Sequence, residues 1–278
     1  MRTDALLVCQ ISDMHIKVPG RLSYRRVDCA GMLARCVAEI LRLPQQPDCV
    51  IATGDLADFG RADEYAHVRR LLAPLPMPVY LLPGNHDERG ALRGAFPDHP
   101  YLRQWQPFVQ YAIDDWPVRI VALDTVIPGQ GGGELCAQRL AWLERTLTEQ
   151  PHKPTLVIMH HPPFPTLIGH MDKQGLLRGS EELAQVIARH AQVERVLCGH
   201  VHRPIQVRFA GTLASTCPSP AHQVALDLAP DANSAFKMEP PGFQLHAWAK
   251  GFGVISHTAF IGEFAGPFPF FENGRLID

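Results

Sequence analysis

Leu6-Leu7-Val8-Cys9-Gln10-Ile11 runs directly into Ser12-Asp13-Met14-His15, and the reading of this stretch decides the fold. The apolar run is too short to cross a bilayer and reads as a buried strand. Asp13 and His15 then fall at the strand's carboxyl end, where α/β folds place ligand-binding loops. The same arrangement recurs four times. Val50–Thr53 leads into Gly54-Asp55-Leu56-Ala57-Asp58, and Val79–Leu82 into Gly84-Asn85-His86-Asp87. Thr155–Met159 leads into His160-His161-Pro162-Pro163, and Arg195–Cys198 into Gly199-His200-Val201-His202.

Helical patterns fill the intervals. Met32, Leu33, Cys36, Val37, Ile40 and Leu41 share one face, Glu64–Leu72 and Glu181–His190 are helical, and Leu140, Leu143 and Leu147 mark another helix. Phe108–Ile113 and Arg119–Leu123 flank the acidic turn Asp114-Asp115 as a hairpin, and Ile205–Phe209 pairs with Thr212–Ser215 across Ala210-Gly211. This alternation predicts an α/β layered fold, with sheet covered by helices.

A chain of 278 residues lies at the upper edge of what one core supports, so one domain with a small appendage is expected. The character changes in the last third. Pro240-Pro241-Gly242 marks a turn, short apolar stretches follow at Gln244–Trp248 and Gly253–His257, and Gly266–Phe271 sets three phenylalanines among prolines. Residues 1–227 therefore read as the catalytic domain, and 228–278 as a C-terminal extension serving as cap or oligomer contact. The formal net charge of −2 gives no basic field, so neither nucleic acid nor a membrane surface is expected as a partner. Seven cysteines, dispersed and without a CxxC pair, argue against a disulfide framework and for a reduced, cytoplasmic protein. Gly129–Gly133 lacks the spacing of a dinucleotide turn and reads as a flexible loop.

Each of the five clusters alone has a plain alternative. Asp-x-His can be a helix N-cap beside a surface histidine, and Gly-Asn-His-Asp can be an ordinary turn. Five in succession, all at strand carboxyl ends, point to metal chemistry. Imidazole, carboxylate and amide donors suit Mn, Fe, Co or Zn. Two divalent ions ~3.5–4 Å apart share a bridging carboxylate and can clamp a phosphoryl group.

The series D-x-H, GD-x-x-D, GNHD, HHPP and GH-x-H resembles the calcineurin-like metallophosphoesterases over about residues 5–217. The resemblance implies a four-layer α/β sandwich, two facing mixed β-sheets flanked by helices, with a small C-terminal cap or oligomerisation region. It implies that Asp13, His15, Asp55 and His202 hold one ion, and that Asp55, Asn85, His160 and His200 hold the other, with Asp55 bridging. His86 would stand beside the leaving group, and His161 would support the centre without ligating it. His160-His161-Pro162-Pro163-Phe164-Pro165, Met171-Asp172, Gly211–Ser215 and His222-Gln223-Val224 resemble bacterial class III cyclic nucleotide phosphodiesterases and glycerophosphodiesterases. That likeness adds His222 at the substrate pocket. The function implied is hydrolysis of small phosphodiesters, 3′,5′-cyclic nucleotides or glycerophosphodiesters, by a hydroxide activated on two divalent transition metal ions. A phosphomonoesterase, a nucleotide pyrophosphatase and a non-catalytic scaffold are the alternatives. A homo-oligomer built through the C-terminal region is also expected.

Overall fold

The computed structural model describes residues 5–277. In chain order, β1 (Ala5–Ile11), α1 (Cys29–Arg42), β2 (Cys49–Thr53), α2 (Ala62–Leu72) and β3 (Val79–Leu82) come first, followed by α3 (Arg89–Ala95). Then come β4 (Tyr111–Ile113), β5 (Arg119–Leu123), β6 (Gly133–Glu134), α4 (Ala137–Glu149), β7 (Thr155–Met159), α5 (Gly169–Asp172) and β8 (Leu176–Arg178). Next come α6 (Ser180–Ala188), β9 (Val193–Cys198), β10 (Gln206–Phe209), β11 (Thr212–Thr216), β12 (Gln223–Val224), β13 (Phe236–Lys237), β14 (Gly242–Ala249) and β15 (Gly253–Phe260), and the tail adds the short hairpin β16 (Phe271–Glu272) and β17 (Arg275–Leu276).

Two mixed sheets result, in the orders β15-β14-β1-β2-β3 and β10-β11-β9-β7-β5-β4. Period-two alternation sorts the side chains of the second sheet. Ile120, Ala122, Leu156, Ile158 and Leu197 enter one core with residues of the first sheet, α1 and α2. Val121, Leu123, Val157, Met159, Val196 and Cys198 enter another with Leu140, Leu143 and Leu147 of α4 and Leu183, Val186 and Ile187 of α6. These are the four layers, with sheet facing sheet and helices outside. Strands buried on both faces carry continuous apolar sequence, as β2 does with all five residues buried.

β1, β2 and β3 run parallel, as do β5, β7, β9 and β11, so the loops at their carboxyl ends gather along one edge of each sheet. The edges meet: the His200 backbone N–H donates to Asp13 Oδ1 at 2.9 Å across the sheets.

Three elements differ from the sequence reading. Only Tyr111–Ile113 of the stretch 108–113 pairs as strand, because Val109 N–H is taken by Asp124 Oδ2 at 2.8 Å. Helix α3, with two glycines in seven residues, forms because Glu88 caps it, accepting from Gly90 N–H and Ala91 N–H at 2.9 and 2.6 Å. The third difference concerns the expected boundary at 227/228. β14 pairs antiparallel with β1 along its length, from Ala5↔Ala249 to Gln10↔Gln244, so the first sheet runs across that boundary. From Gly262 to Ile277 the chain is exposed, with Phe264, Phe268, Phe270 and Phe271 uncovered. Among the described residues no helix is long and apolar enough to cross a membrane.

Candidate metal centre

Three of the five loops, those after β1, β2 and β9, share a backbone device. Asp13, His15, Asp55, His200 and His202 all have left-handed φ, at 57°, 46°, 50°, 73° and 55°. Non-glycine residues avoid this region unless their surroundings over-determine it. Here they do: Asp13 N–H donates to Gly54 O at 3.0 Å, His15 N–H to Asp55 O at 2.9 Å, and Gly199 N–H to His160 O at 3.0 Å. Each kink turns its side chain off the strand line and toward the cleft between the sheets. Gly84 permits the approach of the third loop, since a Cβ there would lie 2.2 Å from Asp55 Oδ1.

The donor atoms fall into two sets. In the first, His15 Nε2 lies 3.1 Å from His202 Nε2, which is 3.7 Å from Asp13 Oδ1. In the second, Asn85 Oδ1 lies 3.0 Å from His160 Nε2 and 3.1 Å from His200 Nδ1. Asp55 turns one oxygen to each: Oδ2 is 3.6 Å from His15 Nε2, and Oδ1 is 3.4 Å from His160 Nε2. All seven side chains named from the sequence as metal ligands are thus brought together. Asp13, Asp55, His15, His160, His200 and His202 are buried, a costly state for charged and polar groups that lack partners.

The tautomers show that the sets fit cations. His160 Nδ1–H donates to Thr53 O at 2.8 Å, and His202 Nδ1–H to His222 O at 2.9 Å. A ring fixed in this way aims its Nε2 lone pair inward. In the neutral rings His160 Nε2 then faces the amide oxygen of Asn85 and His202 Nε2 faces His15 Nε2, acceptor against acceptor. Burial drives His200 and His202 far below the usual histidine range, leaving neutral lone-pair donors. Burial also opposes charge on His160, but the adjacent Asp55 carboxylate prevails and holds it up at about 9. Burial lifts the Asp13 carboxyl to about 6. Converging lone pairs that collect protons when no cation is present form a donor set for divalent ions.

His86 lines the cleft, and its Nδ1 donates to Asp58 O at 2.8 Å. Its ring meets that of His15 edge-on at 4.6 Å, and one of its nitrogens lies close enough to His15 and Asp55 to join them in a third donor grouping. Asp58 also places Oδ1 3.3 Å from His15 Nδ1 and pairs with Lys17, orienting the His15 ring from behind. His161 contacts the His200 ring at 4.6 Å and belongs to a grouping with His160 and His200. Both its nitrogens are engaged, however, Nδ1 with Thr125 Oγ1 at 2.7 Å and Nε2 with Gly131 O at 3.1 Å. The glycine loop 129–133 therefore braces His161. His222 packs against His202 at 4.7 Å, and burial followed by the charge of His15 takes its pKa to about 3.

These groups floor a cleft of about 340 Å³, whose walls add Tyr24, His170, Met171, Gln174 and Phe236. Of these, only Met171 stood out in the sequence, and only by resemblance. Tyr24 and Phe236 sit in segments without periodicity, and their placement depends on tertiary contacts.

A calcineurin-like phosphoesterase family model matches residues 6–204. The chain belongs to that family. It is 42% identical over 274 residues to a probable glycerophosphodiester phosphodiesterase GpdQ of Arcobacter nitrofigilis, covering 98% of this chain and 100% of that protein. It is 33% identical over 213 residues to the 3′,5′-cyclic adenosine monophosphate phosphodiesterase CpdA of Escherichia coli K12, covering 76% of this chain and 75% of that protein. Among solved structures, a dimetal phosphatase of Danio rerio shares the fold with a TM-score of 0.63 at 17% identity, over 93% of this chain and 100% of that one.

Proposed function

We propose that this phosphoric diester hydrolase is a two-metal enzyme acting on small phosphodiesters. The observation that carries the reading is Asp55, one oxygen toward each of two complete donor sets at the floor of a cleft. Asp13, His15, Asp55 and His202 would hold one ion, and Asp55, Asn85, His160 and His200 the other. The mixed N/O donors suit Mn, Fe, Co or Zn. Two such ions would supply Lewis-acid stabilisation of the phosphoryl charge and acidify water at neutral pH.

The chain's own residues complete the reaction. His86, with Nδ1–H fixed on the Asp58 carbonyl, turns Nε2 to the leaving oxygen of the ester, and its imidazolium form gives up the Nε2 proton as the alkoxide departs. A diester leaves as a poor alkoxide unless protonated, and general-acid help typically contributes ~10²–10⁴-fold. His222, neutral and in the cleft wall, takes a substrate-facing role. No protein nucleophile is needed. The test is a panel assay of metal-loaded protein on cyclic nucleotides, glycerophosphodiesters and monoesters. Faster turnover of monoesters than of every diester would reject the reading.

The chain also carries an exposed apolar tail. Phe264, Phe268, Phe270 and Phe271 are 67%, 74%, 79% and 61% exposed, next to the edge strand β15. Such a patch supports a homo-oligomer through this region, and a monomeric mass in light scattering at micromolar concentration would reject it. The seven free cysteines, six of them buried, support a reducing compartment such as the cytoplasm.

A further inference from the structure

One wall of the cleft is aromatic and contributes nothing to the metal ligands. The Tyr24 and Phe236 rings lie 5.1 Å apart at 32°, and the His222 ring meets both nearly edge-on, at 5.3 and 5.2 Å. The two rings reach this place from distant parts of the chain. Tyr24 stands in a loop shut by Ser23 and Val27, whose backbones exchange hydrogen bonds of 2.9 Å each way. Tyr24 and Arg25 both have left-handed φ, at 51° and 58°. Neither residue favours that conformation, so the closed loop imposes it, and outliers of this kind cluster at ligand sites. Phe236 is held on β13, in register with Val224, two residues past His222.

The exposure of Tyr24 argues against a merely covering role. A ring placed to seal the histidines gains by burial, yet Tyr24 keeps 53% of its surface accessible. Among the described residues its hydroxyl has no hydrogen-bond partner, although the side chain lines the cleft beside Asp55 and His86. Met171, Val224 and Ala235 continue the apolar surface. Glycerol would bring hydroxyl groups and no flat face to such a wall. A nucleobase brings a π-face, which stacks on aromatic side chains whatever its sequence identity.

We propose that Tyr24 and Phe236 form a stacking subsite for an organic group of the diester, so that nucleoside-type diesters are preferred to glycerol diesters. This rests on the diesterase reading above. Both substrate classes occur among the relatives' names, and the wall is the feature that discriminates between them.

The test measures kcat and KM of the full-length, metal-loaded protein on 3′,5′-cyclic AMP and on glycerophosphoethanolamine. Wild type is compared with Tyr24→Phe, Tyr24→Leu, Tyr24→Ala and Phe236→Leu, with metal content and melting temperature checked for each. Loss of one base–aromatic stack corresponds to about 5- to 150-fold in affinity. The expected result is a wild-type preference for the cyclic nucleotide. Tyr24→Leu and Tyr24→Ala should lower that preference at least about fivefold, chiefly through KM, while Tyr24→Phe retains it. Parallel loss on both substrates, loss confined to kcat, or a wild-type preference for the glycerol diester would overturn the subsite alone. Wild-type protein that hydrolyses neither diester overturns the diesterase reading, and the subsite falls with it.

Discussion

Asp87 ends the Gly84-Asn85-His86-Asp87 cluster, and its buried carboxylate ties the turn carrying Asn85 and His86 to the loop carrying Asp55. Oδ2 accepts from Leu56 N–H at 3.1 Å and Gly84 N–H at 2.8 Å. Oδ1 accepts from Ala57 N–H at 3.1 Å and the Tyr65 hydroxyl at 2.9 Å. Asp87→Asn changes little in volume but removes half of this accepting capacity. Whichever way the amide is turned, its NH₂ confronts two donors, of which at least one is a backbone N–H that cannot rotate away. With the NH₂ on the Tyr65 side the hydroxyl can turn to accept from it, so one buried backbone donor is left unanswered, at a cost of about 1–3 kcal/mol. At ~2–4 °C per kcal/mol for a chain of this size, the melting temperature should fall by about 2–12 °C. The slackened turn also displaces Asn85 and His86, so kcat/KM on any diester should drop at least about tenfold, since a misplacement near 1 Å can cost ~10²-fold. Thermal melts of chelator-treated and metal-loaded protein, followed by rates at a temperature where both proteins are folded, provide the assay. A melting shift within about 2 °C and unchanged kcat/KM would refute the reasoning, because four hydrogen bonds would then have held nothing in place.

Three further outcomes follow from the site. His86→Ala should lower turnover of alkyl or ribose leaving groups by about 10²–10⁴-fold and of nitrophenyl diesters far less, because nitrophenolate leaves without a proton; equal losses would mean that His86 only positions the phosphate or the ions. The Asn85 set has the shared carboxylate alone whereas the other set also has Asp13, so Asn85→Ala should abolish the weaker of two binding events in a metal titration, and loss of the tighter one would contradict this. In metal-free protein His160 is protonated below about 9, and an ion must displace that proton, so apparent affinity should fall as pH drops from 9 and more steeply below about 6, where Asp13 also holds one. Calorimetry in buffers of different ionisation enthalpy reads the released protons, and affinity that does not change between pH 6 and 8.5 would reject the coupling.

The parts of this molecule legible in its sequence are those whose determinants are local. β2 and β7, buried on both faces, read as apolar runs with little polar alternation to confuse, and β1, β3 and β9 each keep a shorter apolar run. The candidate metal-binding residues were legible because each follows such a run within a few residues. What sequence did not reveal is set by long-range pairing. Nothing in Gly242–Phe260 announces that it will complete the first sheet against β1, where His246 Nε2 meets Gln10 Oε1 at 3.0 Å. Helix α3 was obscured by its glycines, and its capping Glu88 is visible only once the helix is known. Tyr24 and Phe236 lie more than two hundred residues apart, and neither has a partner in its own segment that would mark it. His161, by contrast, adjoins a ligand and was expected to brace the centre, and the Thr125 and Gly131 contacts show how it is held.

The central claim, that two ions shared through Asp55 drive diester hydrolysis, is tested most directly by one titration. Chelator-stripped protein receives Mn²⁺ in steps while hydrolysis of bis(p-nitrophenyl) phosphate is followed and bound metal is counted by elemental analysis. The account predicts negligible rate without metal and a rise that levels off when two ions are bound per chain. Full activity in stripped protein containing no divalent transition metal would contradict it.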